Sequence, residues 1–256
     1  DVTLLSVLEK CNDTVIPVFD ISDEETANKL STFIKGNKYF DSFVMSSNSS
    51  LVKLVRSKVS NIYGCIDYQE RLANKESLSK DDLVTIRSDM HSNNGTVAIL
   101  PVNLCTHENV QYLYDSIVNV WCETKEDTDS LIYQGIACGA IGVISPNADK
   151  VIKIAKENFK ANSMTRLPLN IGHRGIPNAA PENTLEGSIL AYENGADVIE
   201  LDIYLTTDNQ VVIMHDSSTS RTCNGALTIE SCTLAQLKNL YVNKGYETYK
   251  NSKVKM

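Results

Sequence analysis

The sequence predicts an α/β protein, a (β/α)8 barrel, on three observations. Short β-branched runs alternate with helix-like stretches along most of the chain, the arrangement of βα units that build a parallel sheet. The unit recurs at a length that suits a barrel of eight strands and eight helices. A chain of 256 residues, 42% apolar and 22% charged, has enough core for one large barrel or two small domains.

The candidate strands are residues 15–21, 43–46, 62–66, 97–101, 117–121, 141–144, 169–172 and 198–203. Helical periodicity is clearest in Leu4-Leu5-x-Val7-Leu8 and over residues 49–56, where apolar positions recur at three and four. After the eighth strand, residues 210–215 read as an extended excursion on the barrel rim. Polar, turn-rich sequence follows, with one helix over 233–240. Residues 159–166, polar and containing Asn162-Ser163, form the linker candidate before Leu167-Pro168-Leu169. The basic run over 250–255 is short enough to be a solvated terminus.

A net charge of -8 and a pI near 5.1 argue against nucleic acid as a partner, because neutralising phosphates takes clustered Lys and Arg. An acidic protein that handles phosphate must gather positive charge locally, and a metal ion supplies it. No apolar run approaches the roughly 20 residues of a membrane span. The chain starts at Asp1 with no charged-then-apolar leader, which reads as a mature or excised form. Seven cysteines without a CxxC pair indicate buried free thiols rather than a zinc ribbon or a disulfide framework.

The chemistry concentrates between Asn170 and Asn224. There the chain carries Gly172-His173-Arg174-Gly175, Pro181-Glu182-Asn183-Thr184, Glu200-Leu201-Asp202, Thr206-Thr207-Asp208, His215-Asp216 and Arg221-Thr222. Residues two apart in a strand face the same way, so Glu200 and Asp202 point into one space. Two neighbouring carboxylates repel unless a cation sits between them, and oxygen ligands suit Ca2+ or Mg2+. His173 closes its strand and His215 closes the extended run after Asp208. A pair of imidazoles can divide the proton work, one activating the nucleophile and the other protonating the leaving alkoxide. Arg174 offers a planar fork to phosphate oxygens, and Gly172 and Gly175 let the backbone bend and approach closely. Asp216 either orients His215 or caps the turn. His91 and His107 stand apart from any motif and read as surface residues.

In order, the HRG, PENT, ExD and HD signatures resemble those of the glycerophosphodiester phosphodiesterase family; the spider-toxin type phospholipases D are a more distant branch. The resemblance implies an enzyme that hydrolyses glycerophosphodiesters to sn-glycerol 3-phosphate and an alcohol, with Ca2+ or Mg2+ as cofactor and a small-molecule glycerophosphodiester as partner. It implies Glu200 and Asp202 as metal ligands, His173 and His215 as the acid/base pair, Arg174 as phosphate binder and Glu182 as a supporting or substrate-binding residue. Two rivals stand beside it: a phospholipase D-like activity on lysophospholipids, and a non-catalytic phosphodiester-binding module.

The family begins with HRG on its first strand, whereas here HRG lies two-thirds of the way along. Residues 1–160 resemble the family's strands three to eight and residues 167–256 its strands one and two. Val120-Trp121 resembles the tryptophan strand, with Trp121 either packed in the barrel or walling the glycerol moiety. Residues 139–145 resemble the closing strand. Residues 1–256 therefore read as a single, circularly permuted barrel, the alternative being a piece cut across two copies of a tandem protein. Asp20 stands where the family has a Glu as third metal ligand, and the toxin-like branch has an Asp there. Capping a helix is the other use for Asp20. Ser22 replaces an expected phosphate-binding Lys, and Cys122-Glu123-Thr124 also departs from the pattern.

Overall fold

The structure is a computed structural model that describes residues 3–11, 15–160, 165, 167–242, 244 and 246–249. It divides into two compact units, Asp1–Leu167 and Pro168–Met256. No helix among the described residues is long and apolar enough to cross a membrane.

The first unit runs α1 (Leu4–Cys11), β1 (Val18–Asp20), α2 (Glu24–Asn37), β2 (Phe43–Ser46), α3 (Ser49–Lys58), β3 (Tyr63–Asp67), α4 (Lys80–Ser92), β4 (Val97–Pro101), α5 (His107–Asp115), β5 (Asn119–Glu123), α6 (Asp129–Ala137), β6 (Gly142–Ile144) and α7 (Ala148–Asn158). Its six strands pair in parallel in chain order, each joined to the next through a helix. This is the wall of an α/β barrel. Side-chain alternation gives the sheet two apolar faces, as a parallel sheet covered on both sides requires. Val44, Ile66, Ala98, Leu100 and Val120 pack under the helices with Ile34, Val52, Val55, Met90 and Leu113. Cys65, Val97 and Ile99 face the other way and pack with Phe43, Met45 and Trp121.

Helix starts follow local chemistry. Asp23, Asn48, Ser79, Thr106, Thr128 and Asn147 each accept a backbone N–H of the helix they precede, and Ser79 with Asp82 completes a capping box. The cap of α2 is therefore Asp23, and Asp20, offered as a cap from sequence, ends β1 instead.

The second unit holds β7 (Ile171–His173), α8 (Leu185–Glu193), β8 (Val198–Glu200), β9 (Ile203–Leu205), β10 (Val211–Ile213) and α9 (Leu234–Leu237). β7 and β8 pair in parallel across α8; β9 and β10 form an antiparallel hairpin. Val212, Met214, Ile229 and Leu237 form the core beneath that hairpin. Each such side chain, fully buried, contributes about 1.5–3 kcal/mol.

Several boundaries differ from the sequence expectation. The strand expected over 198–203 breaks at Leu201-Asp202, because the Asp202 N–H donates to the Asn183 side chain and its carbonyl accepts from Met214 N. The strand expected over 117–121 starts later, since Ile117 adopts φ +61° in the turn after α5. The expected helix over 233–240 is the single turn Leu234–Leu237, capped by Thr233. Residues 161–164 and 166 of the expected linker, and the tail over 250–255, lie outside the described residues. Six cysteines are buried free thiols and Cys11 is half-buried.

Candidate active site

The second unit gathers the HRG, PENT, ExD and HD segments through backbone geometry that few residues tolerate. Arg174 and Gly175 turn the chain out of β7 at φ +57° and +86°, and Gly175 N donates to Gly172 O. A Cβ on Gly175 would lie 2.8 Å from the Gly187 carbonyl carbon, so only glycine lets this turn rest on the first turn of α8. Thr184 caps α8, accepting from Gly187 N and donating to Pro181 O. Asn183, at φ +57°, donates its N–H to Arg174 O, which ties the PENT and HRG turns together.

His173 and Glu200 are register partners at the C-terminal ends of β7 and β8, so their side chains leave the same face of the ladder. The backbone N–H of Arg174 reaches both Glu200 O and Glu200 Oε2, at 3.0 and 3.2 Å. Asp202 Oδ2 accepts from Asn183 Nδ2 at 3.0 Å and lies 3.4 Å from Arg174 Nε. That nitrogen is buried and lacks a well-aligned hydrogen bond. Both carboxylates therefore converge on Arg174.

A chain of charges runs from this point to the second histidine. Arg174 Nη1 reaches Glu182 Oε1 at 3.3 Å, and Glu182 is 7% exposed. Arg221 grips both oxygens of Glu182 and passes its Nε to Asp216 Oδ2 at 2.6 Å. Asp216 Oδ1 pairs with His215 Nδ1, also at 2.6 Å. Hydrogen bonds from Arg221 hold the Glu182 carboxyl below its ordinary range. The same guanidinium, aided by His215, brings Asp216 down to about 2, and the two carboxylates push Arg221 up. Asp216 therefore orients His215 and fixes which ring nitrogen stays free, the role one of the two sequence alternatives gave it.

Sequence reasoning assigned no role to Arg221 or to the Asn183 side chain. The available signal was scarcity: Arg174 and Arg221 are the two arginines between Pro168 and Met256, and both end on Glu182. Asp20 and Trp121 belong to the first unit. Asp20 is exposed at the end of β1, in register with Met45. Trp121 packs on Phe43, ring centres 4.9 Å apart, and fills the space a Cβ on Gly142 would need. His91 and His107 are exposed.

The donor set of the second unit fits a hard divalent cation in kind and in charge. Glu182, Asp202 and Asp216 meet the guanidinium groups of Arg174 and Arg221, and Glu200 accepts from the Arg174 backbone N–H, so four carboxylates against two guanidinium groups leave two negative charges in excess. Glu200 and Asp202 offer oxygen ligands of the type Ca2+ and Mg2+ take. Among the described residues, no group of three or more His, Cys, Asp or Glu side chains is gathered to hold a metal.

Residues 173–255 match the model of the glycerophosphoryl diester phosphodiesterase family. A protein of Caldanaerobacter subterraneus named glycerophosphodiester phosphodiesterase is 44% identical over 72 residues, 28% of this chain and 30% of that one. The human protein named glycerophosphodiester phosphodiesterase 1 is 43% identical over 70 residues, 27% of this chain and 21% of its own. The chain thus spans less than a third of the length of the curated relatives it matches. In fold, it is similar to a crystal structure from Galdieria sulphuraria described as a glycerophosphodiester phosphodiesterase. The TM-score is 0.50 at 9% identity, over 60% of this chain and 62% of that one. In the residues that hold its HRG, PENT, ExD and HD segments, the chain is thus similar to the glycerophosphoryl diester phosphodiesterase family.

Proposed function

We propose that this protein is a phosphodiesterase that hydrolyses glycerophosphodiesters to sn-glycerol 3-phosphate and an alcohol, with Ca2+ or Mg2+ as cofactor. The observation that carries this is the pairing of His173 with Glu200 across two parallel strand ends, joined through Arg174, Glu182, Arg221 and Asp216 to His215. Glu200 and Asp202 would hold the cation. Such an ion, when bound, polarises a phosphoryl oxygen and offsets charge developing in the transition state.

The chain's own residues do the remainder. Arg174, held from two sides by Glu182 and Asp202, presents a preset fork to a phosphate oxygen. Glu182 acts through Arg174 as a positioning group. His215, with Nδ1 engaged by Asp216, keeps Nε2 for proton exchange, and His173 serves the other side of the displaced bond.

The test is turnover of glycerophosphocholine and of lysophosphatidylcholine, followed by 31P NMR with Ca2+, Mg2+ or EDTA. Metal-dependent glycerol 3-phosphate from the first substrate supports the proposal. Release of choline with lysophosphatidic acid or a cyclic phosphate from the second replaces it with the phospholipase D-like activity. No turnover of either by folded protein leaves the binding module.

A further inference from the structure

The first unit gathers three thiols that the hydrolytic site does not use. Cys122 stands on β5 with its side chain under the helices, Cys138 caps the end of α6, and Cys105 follows β4. Cys105 and Cys122 are fully buried, and Cys138 is 5% exposed.

Specific packing brings them together. A Cβ on Gly135 would lie 2.9 Å from Cys122 Sγ, so a glycine in the last turn of α6 makes room for that sulfur. Gly135 O then accepts from two thiols, Cys122 Sγ at 3.4 Å and Cys138 Sγ at 3.2 Å. Residues three apart on a helix share a face, which puts Cys138 on the side that Cys122 meets. Cys105 Sγ reaches Pro101 O at 3.4 Å, next to Leu100, the register partner of Cys122. Each of the three thiols interacts with the other two.

Their reactivities differ. Hydrogen bonds from Cys105 and Cys122, joined by the backbone N–H groups of Ala140 and Cys138, hold the Cys138 thiol well below its ordinary range. Contacts with Cys122 and Cys138 push Cys105 up. Thiolate character and access decide which cysteine a peroxide oxidises. Of the three, Cys138 has both, because it alone reaches solvent, at the turn where Gly139 takes φ +94°. Cys65, on the other face of the sheet, is pushed up to about 12 by burial and has neither.

We propose that Cys138 and Cys122 form a peroxide-reactive pair that closes to a disulfide joining β5 to the end of α6. The Cys138 thiolate attacks the O–O bond of a hydroperoxide and takes its OH as a sulfenic acid. The alkoxide that leaves picks up the proton the thiol gave up. Cys122 sulfur then displaces the sulfenic hydroxyl, which departs as water with the Cys122 proton as the S–S bond forms. Two thiols are oxidised to one disulfide, and one hydroperoxide is reduced to an alcohol and water. The pair stands independently of the hydrolytic activity proposed above.

The experiment treats the whole, fully reduced chain with hydrogen peroxide at about 0.1–1 mM and maps its cysteines by mass spectrometry. Cleavage at Lys, Arg and Glu separates Cys105, Cys122 and Cys138 into different peptides. A Cys122–Cys138 crosslink that dithiothreitol reverses is expected, with Cys65 and Cys105 still reduced. Cys138→Ser should slow the loss of free thiol at least about tenfold, and Cys122→Ser should leave a sulfenic acid at Cys138 that dimedone traps. Cys105→Ser and His173→Ala should keep the crosslink. Should a variant lose its circular dichroism signature, the map of the unaltered chain decides alone. Cys122 and Cys138 both remaining reduced, a crosslink through Cys105 instead, or a sulfinic acid at Cys138 beside a reduced Cys122 overturns the proposal.

Discussion

Arg221 meets Glu182 fork to fork: Nη1 lies 2.8 Å from Oε2 and Nη2 2.7 Å from Oε1, across a separation of 39 residues in sequence. The same guanidinium holds Asp216. One side chain thus aligns the carboxylate behind Arg174 with the carboxylate behind His215. Arg221→Gln should cost about 1.5–3 kcal/mol in urea denaturation, the range for hydrogen bonds to charged groups. It should also lower turnover at least about tenfold with little change in the circular dichroism spectrum.

Asp216 tests the histidine's orientation alone. In Asp216→Asn the His215 Nδ1 contact at 2.6 Å loses its charge, and the preferred tautomer with it. A fall in kcat of roughly 10- to 100-fold is expected, with KM nearly unchanged. Steady-state kinetics across pH 5 to 9 check it; an equal rise in KM would point to substrate binding instead.

Both depressed carboxyls make stability depend on acid. Each is charged more readily folded than unfolded, so its contribution is complete above the ordinary carboxylate range and is lost as pH falls through the folded value. For Asp216 that window runs from its ordinary 3.8 down to about 2, and for Glu182 it opens just below 4.5. Urea midpoints measured from pH 6 to pH 2.5 should drop across this window. Arg221→Gln should flatten the drop, because Arg221 is the main cause of both depressions.

Two glycines with similar backbone angles separate crowding from conformation. Gly175 and Gly195 sit at φ +86° and +90°, yet a Cβ on Gly195 would meet nothing within 4 Å while one on Gly175 would strike the Gly187 backbone. Gly195→Ala should cost about 1–2 kcal/mol, the penalty of a left-handed L-residue. Gly175→Ala should cost more, and should displace Arg174 enough to reduce turnover. Thermal unfolding of the pair gives the difference.

Much of this was legible in the sequence where local pattern decides structure. The strands Phe43–Ser46 and Val97–Pro101 fall where the apolar runs do, because both faces of a parallel sheet are covered and the runs have no polar interruption. The family resemblance rested on His173, Arg174, Glu182, Glu200, Asp202 and His215, and the second unit brings these into one connected set. The break at Leu201-Asp202 was hidden because Val198-Ile199-Glu200-Leu201-Asp202-Ile203 alternates like one strand. The interruption comes from Asn183 and Met214, distant in sequence. Arg221 was hidden for the same reason, since no periodicity links it to Glu182.

In the proposed mechanism His173 and the carboxylates at 200 and 202 form a metal-dependent hydrolytic site. Its most direct test is glycerol 3-phosphate release from glycerophosphoethanolamine by the wild-type chain, by His173→Ala and by Glu200→Gln, each with Ca2+ or Mg2+ and again with EDTA. Release by the wild type that EDTA abolishes is expected, with a loss of at least about 10³-fold in either variant. Release that survives EDTA, or that either variant retains in full, would contradict it.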